Sequence, residues 1–271
     1  MSKIIAIANQ KGGVGKTTTC MNMATFAALM GKKVLAVDID PQGNCSTGLG
    51  IEKSALKASV YTVLSGEIAP KNAIVPTVVP SLDILPSHMD LAGAEVELVS
   101  VEEREKVLKK VLNSLRNDYD YIFIDCPPSL GLLTVNALAS ADSILIPIQG
   151  EFFALEGLSQ LLNTIKLAKK FLNPSLAIEG VVLTMYDGRS KLVQSVAEEI
   201  QKFFGNKVFS TKIPRNVRLG EAPSHGLPIA FYEPRSLGSL AYKSLTEEFF
   251  ILNKVNYEKI ADVSKLKAKA R

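Results

Sequence analysis

No stretch of this 271-residue chain approaches the roughly 18–20 apolar residues that a bilayer-spanning helix needs. The first residues, MSKIIAIANQ, carry a short apolar run that leads straight into glycines, so a signal peptide is not expected. Cysteine is scarce: Cys20, Cys45 and Cys126 form no CxxC pair and leave an odd count. That argues against a disulfide framework and against ligation of an iron–sulfur cluster, and it suits a reducing cytoplasm. Low-complexity blocks, internal repeats and linkers rich in Pro, Gly or Ser are also missing. One folded unit over residues 1–252 is therefore expected, followed by a basic tail, 253–271, that ends in KLKAKAR and is expected to fray.

What is present is the composition of a globular protein, 47% hydrophobic and 21% charged, with a net charge of +4. The charge is uneven. Residues 1–150 carry 13 Lys and Arg against 15 Asp and Glu, whereas residues 151–271 carry 18 against 12. A basic second half is compatible with a polyanionic partner and equally with a solvated surface.

Short β-branched runs at 3–9, 33–40, 82–87, 121–127, 143–149 and 178–185 are continuously apolar, as strands buried on both faces must be. Helical patterns separate them at 16–30, about 90–115, 132–140, 155–172 and 191–204, and a helix at 236–252 closes the unit. Strands alternating with helices predict an α/β fold: a doubly wound, mostly parallel sheet flanked by helices.

Between the first strand and the first helix lies QKGGVGKTT, residues 10–18. Glycines at 12, 13 and 15 allow backbone N–H groups to close on phosphate oxygens, and the helix N-terminus adds unsatisfied donors. This is the setting of a P-loop. Lys16 would reach the β- and γ-phosphates of ATP, and the Thr17 hydroxyl would ligate Mg²⁺. Gly12, Gly13, Val14, Gly15 and Thr18 complete the cradle. The usual GxxxxGK[ST] pattern fails, however, because position 10 is Gln; the loop instead carries a second lysine, Lys11.

Acids stand at two strand ends, where open α/β sheets place their ligands. Asp125 follows four apolar residues in YIFIDCPPS, the arrangement that holds Mg²⁺ through its water shell. In VDIDPQGN, Asp40 stands at the end of the second strand and is a further candidate near the metal. Asp38 is read as a strand cap, with support of a neighbouring ligand as the alternative. Cys126 is read as a small buried hydrophobe. His225, on a loop with no visible partner, is read as structural or exposed.

KGGVGKTT, DPQG, YIFIDCPPS and IPRNVRLGEAPSHG together resemble the ParA/MinD family of deviant P-loop ATPases, and the Soj-type chromosome-partitioning proteins in particular, over residues 3 to about 250. The resemblance implies a homodimer in which Lys11 reaches across to the partner's ATP. It implies a catalytic set of Asp40, Lys11 and Lys16, in which Asp40 positions the attacking water, with Pro214 and Asn216 on the adenine. Arg189 and Arg218 match positions that bind non-specific double-stranded DNA in the ATP state, through phosphates and without sequence information. Lys191 and the distal lysines are weaker additions. A ParB-type centromere-binding protein is the implied activator, and the cytoplasmic nucleoid the implied location. The alternative is a MinD-like membrane-cycling ATPase. The tail VSKLKAKAR lacks the bulky apolar stripe of a membrane helix, so no firm membrane association is expected. With a first strand at residue 3, no N-terminal DNA-binding extension, and hence no operator recognition, is expected either.

Overall fold

A computed structural model describes residues 2–151 and 154–265. Its centre is a seven-stranded sheet in the order β3-β4-β2-β5-β1-β6-β7. The strands are β1 (Lys3–Ile7), β2 (Val34–Asp38), β3 (Val75–Pro76), β4 (Leu82–Leu85), β5 (Tyr121–Asp125), β6 (Ser143–Gln149) and β7 (Ala177–Thr184). All pair in parallel except β3, which runs antiparallel on the edge of β4. The fold is thus the expected doubly wound, mostly parallel sheet flanked by helices.

The continuous apolar runs become strands with both faces covered. Ile4 and Ala6 of β1 enter one core with Leu35, Val37, Ile122 and Ile124. Their neighbours Ile5 and Ile7 enter the other, with Val34, Ala36 and Phe123. This is the two-residue alternation of a pleated strand, with no face left to solvent. The helix Lys16–Leu29 is buried along most of its length. It lies between the sheet and the helix Leu237–Leu252, where the Thr19 hydroxyl meets the Tyr242 hydroxyl at 3.1 Å.

Two expectations change. The helix expected over 90–115 is broken into Leu91–Glu97, two short 3₁₀ turns and Val107–Asn113. Asn136, on the neighbouring helix Leu132–Ser140, accounts for the break. Its Oδ1 accepts from the Leu108 N–H at 3.1 Å, and its Nδ2 donates to the Arg104 carbonyl at 2.8 Å. A cap delivered from outside starts a new helix where the periodicity alone would continue the old one. The second change concerns the segment from Asn253, expected to fray, which lies against the domain as far as Val263. Val255, Tyr257 and Ile260 pack on the core, the Glu258 N–H donates to the Met30 carbonyl at 3.1 Å, and Asn253 bonds Glu179 at 2.7 Å. The end of the tail, 266–271, lies outside the described residues.

Parallel pairing sets the functional residues at one edge of the sheet. Asp125 is in register with Ile7 on one side and Asp38 on the other. The carboxyl ends of β1, β2 and β5 therefore deliver the glycine loop and two acids to one place.

Candidate nucleotide site

The loop after β1 is shaped by Gly13 (φ 73°) and Gly15 (φ 85°), conformations that L side chains avoid. Three side chains outside the glycine pattern hold it. Asn9 accepts from the Lys11 N–H at 3.1 Å and donates to the Pro147 carbonyl at 2.7 Å. At the end of β7, the buried Thr184 hydroxyl donates to the Val14 carbonyl at 2.8 Å. Lys16 is 6% exposed, and its ammonium donates to the Lys11 carbonyl at 3.0 Å. Burial pulls its pKa down, while Asp125, Cys126 and Asp40 pull it up. A desolvated ammonium facing a backbone carbonyl is ready to exchange that partner for a phosphate. Lys11 differs: its ammonium leaves the loop and pairs with Glu151, just beyond β6.

Asp125 is fully buried, and neither carboxylate oxygen has a hydrogen-bond partner among the described residues. Burial, and then the charge of Asp38, push its pKa far up, against the nearby Thr17 hydroxyl and Lys16 ammonium. A buried carboxylate without donors is costly until a cation completes it. Asp125 and the Thr17 hydroxyl therefore fit Mg²⁺, a hard cation that takes oxygen ligands and keeps most of its waters.

Asp38 is more than a strand cap. Its Oδ2 accepts from the Ser46 N–H at 2.8 Å and the Ser46 hydroxyl at 2.7 Å, and its Oδ1 accepts from the Asp40 N–H at 3.2 Å. The Ser46 hydroxyl in turn accepts from the Ser87 N–H at 3.0 Å, beyond β4. Burial raises the Asp38 pKa to about 6 against these three donors. Asp40 is 8% exposed and closes the turn that follows: its Oδ1 accepts from the Gln42 N–H at 3.0 Å, and its carbonyl from the Gly43 N–H at 2.8 Å. The Asp40 carboxylate is thus aimed by a loop that Asp38 fastens. Cys126 is buried, and burial drives its pKa up, as suits a small hydrophobe. His225 stacks on Tyr232 at 4.9 Å.

Beside the loop, a cavity of about 190 Å³ is lined by Gly15, Met185, Pro214, Asn216, Leu219 and Tyr242, among others. Pro214 is held alongside Tyr186 as a parallel bridge. The Asn216 Oδ1 accepts from the Arg218 N–H at 2.9 Å and so caps the helix Val217–Glu221. Met185 is a non-glycine residue in the left-handed region (φ 49°), a strained conformation that marks sites held for a purpose. The sequence-predicted residues at 11–18, 40, 125, 214 and 216 thus fall around one loop and its adjoining slot. Arg189 and Arg218 are exposed on the surface, each four residues or fewer along the chain from a slot residue. Both are ion-paired within the chain, Arg189 to Asp187 and Arg218 to Glu221. Reading the sequence missed Asn9, Thr184, Glu151 and the Ser46–Ser87 link, each of which acts through a partner distant in the chain.

A parallel sheet with this strand order, a glycine loop on its first crossover and acids at the ends of the neighbouring strands define a P-loop nucleoside triphosphatase. A family profile described as an AAA domain matches residues 2–178. The chain is 56% identical over 248 residues to the sporulation initiation inhibitor protein Soj of Bacillus subtilis, covering 92% of this chain and 98% of that one. It is 50% identical over 248 residues to the chromosome-partitioning ATPase Soj of Treponema pallidum, covering 92% and 97%. Among solved structures, the septum site-determining protein MinD of Pyrococcus horikoshii, complexed with Mg-ADP, superposes with a TM-score of 0.77 at 31% identity, covering 93% and 98%. The chain belongs to the ParA/MinD family of P-loop ATPases, among its Soj/ParA chromosome-partitioning members.

Proposed function

We propose that this chain is an ATP-dependent dimerising ATPase that binds non-specific DNA when loaded with ATP and helps to segregate chromosome or plasmid DNA. The observation that carries the reading is the split between the two loop lysines. Lys16 is buried in the cradle on the Lys11 carbonyl, whereas the Lys11 ammonium points out of it to Glu151. A lysine turned away from its own phosphate site can serve the site of a second copy by exchanging Glu151 for that copy's phosphates.

The loop from Gly12 to Thr18 would bind the triphosphate through backbone N–H groups, and Lys16 would neutralise the β- and γ-phosphates. Pro214 and Asn216 would seat the base. Thr17 and Asp125 would hold Mg²⁺, which when bound supplies further charge neutralisation. Asp40 would orient the attacking water, and Lys11 of each protomer would complete the other's site. Hydrolysis then needs little beyond positioning, which suits a slow timer that a ParB-type centromere-binding protein would accelerate. Arg189 and Arg218 would meet DNA phosphates on the cytoplasmic nucleoid.

The likeness to MinD favours a second reading, a membrane-cycling ATPase. Among the described residues no helix is long and apolar enough to cross a membrane, and an interfacial helix at the tail is a separate matter. Co-sedimentation with random duplex DNA and with anionic liposomes, each under ATP and ADP, decides between the two. ATP-dependent retention on DNA is expected; retention on liposomes alone refutes the partitioning reading.

A further inference from the structure

We infer that Asp187 and Glu221 are built-in counter-ions of the DNA-facing arginines and set how tightly the ATP-loaded protein holds DNA. The inference rests on the DNA-binding reading above. Arg189 is 91% exposed at its side chain, yet it does not extend freely into solvent. Its Nε and Nη2 donate to the two carboxylate oxygens of Asp187, both at 2.9 Å, and its own N–H donates to Oδ1 at 3.0 Å. Arg218 is paired through one arm, on another element: its Nη1 donates to the Glu221 Oε2 at 2.8 Å, an oxygen that also accepts from the Tyr232 hydroxyl at 3.2 Å. In both cases the acid lies two or three residues away in the chain and is partly exposed.

A carboxylate that takes both arms of a guanidinium occupies the fork that a phosphate would use. Binding DNA through Arg189 therefore requires exchanging Asp187 for a phosphate, and Asp187 then stands beside the phosphate as a like charge. Exposed pairs of this kind weaken a competing contact by about 1.5- to 5-fold each. In a dimer each arginine is present twice, so neutralising one acid is expected to tighten binding by roughly 2- to 25-fold. The acids do not prevent binding; they keep it loose enough to reverse.

The test measures binding of a random duplex by fluorescence anisotropy with ATP, across a salt series. Arg189→Ala and Arg218→Ala are expected to weaken binding and flatten the salt slope. Asp187→Asn and Glu221→Gln are expected to tighten it within the range above. Glu102→Gln, which adds the same charge at an exposed acid bonded to neither arginine, is expected to change it far less. In the Arg189→Ala background, Asp187→Asn is expected to add little, since the pair no longer exists. Failure of the wild-type protein to bind DNA with ATP overturns the DNA-binding reading and this inference together. Normal binding that depends on the arginines, with the acid variants unchanged, weaker, or no tighter than Glu102→Gln, overturns this inference alone.

Discussion

Thr184→Val tests whether the phosphate loop depends on a fastening at the far strand of the sheet. Thr184 is 3% exposed, and its hydroxyl donates to the carbonyl of Val14, itself 1% exposed. Valine keeps the branched shape but leaves that carbonyl buried without its donor, at a cost of about 1–3 kcal/mol. For a domain of this size that corresponds to a fall in Tm of roughly 2–12 °C. A loosened loop should also bind nucleotide less tightly, so the rise in Tm on adding Mg-ATP should shrink. Differential scanning calorimetry with and without Mg-ATP reads both effects, and Thr184→Ser, which retains a hydroxyl, should restore much of each. If Thr184→Val melts with the wild type and gains as much from nucleotide, the fastening has no energetic weight.

Gly12→Val should leave the folded protomer intact, because a Cβ built at Gly12 meets no atom within 4 Å. ATP-dependent dimerisation should nevertheless be lost if a second copy closes over the loop, and size-exclusion chromatography with ATP showing a normal dimer contradicts that. Asp40→Ala should retain ATP and accumulate as the dimer while turnover falls at least tenfold; undiminished phosphate release rules out its role on the water. Asp38 supplies a pH test in nucleotide-free protein. Its pKa is raised from 3.8 to about 6, so the stability it contributes is present below pH 4 and lost as pH rises through 6, on the order of 3 kcal/mol in all. Urea unfolding at pH 4 and pH 7 should show a smaller loss in Asp38→Asn than in the wild type, the remainder coming from Asp125, whose pKa burial also raises; an equal loss in the two proteins refutes the role of Asp38.

The parts of this fold that can be read from sequence are those that repeat or cluster. β1, β2, β5 and β6 are continuous apolar runs with no competing interpretation, and the glycine loop places its lysines and threonine by spacing alone. Asp125 is visible because a charge directly after four apolar residues must have a reason. Single polar residues that act across the fold leave no such trace. Thr184 stands 170 residues from Val14, and Ser87 stands 41 from Ser46, so no local pattern connects them. The broken helix between 90 and 115 has the same cause, since its new start is capped by Asn136 from a neighbouring element. Short pieces such as Asn44–Gly48 and Val217–Glu221 hold too few residues for a period to show.

The packing of residues 253–263 makes the protein easy to watch. The Glu258 N–H bonds Met30, at the far end of the helix that begins at Lys16, so this segment sits roughly 20 Å from the phosphate loop. All three native cysteines are buried, so Lys259→Cys would place a single accessible thiol on an exposed position at that pole. Dyes attached there would face outward from a pair of protomers closed loop to loop, at a separation suited to energy transfer. Donor and acceptor chains mixed in equal parts would then report association and release in real time, with neither the nucleotide face nor the arginines altered.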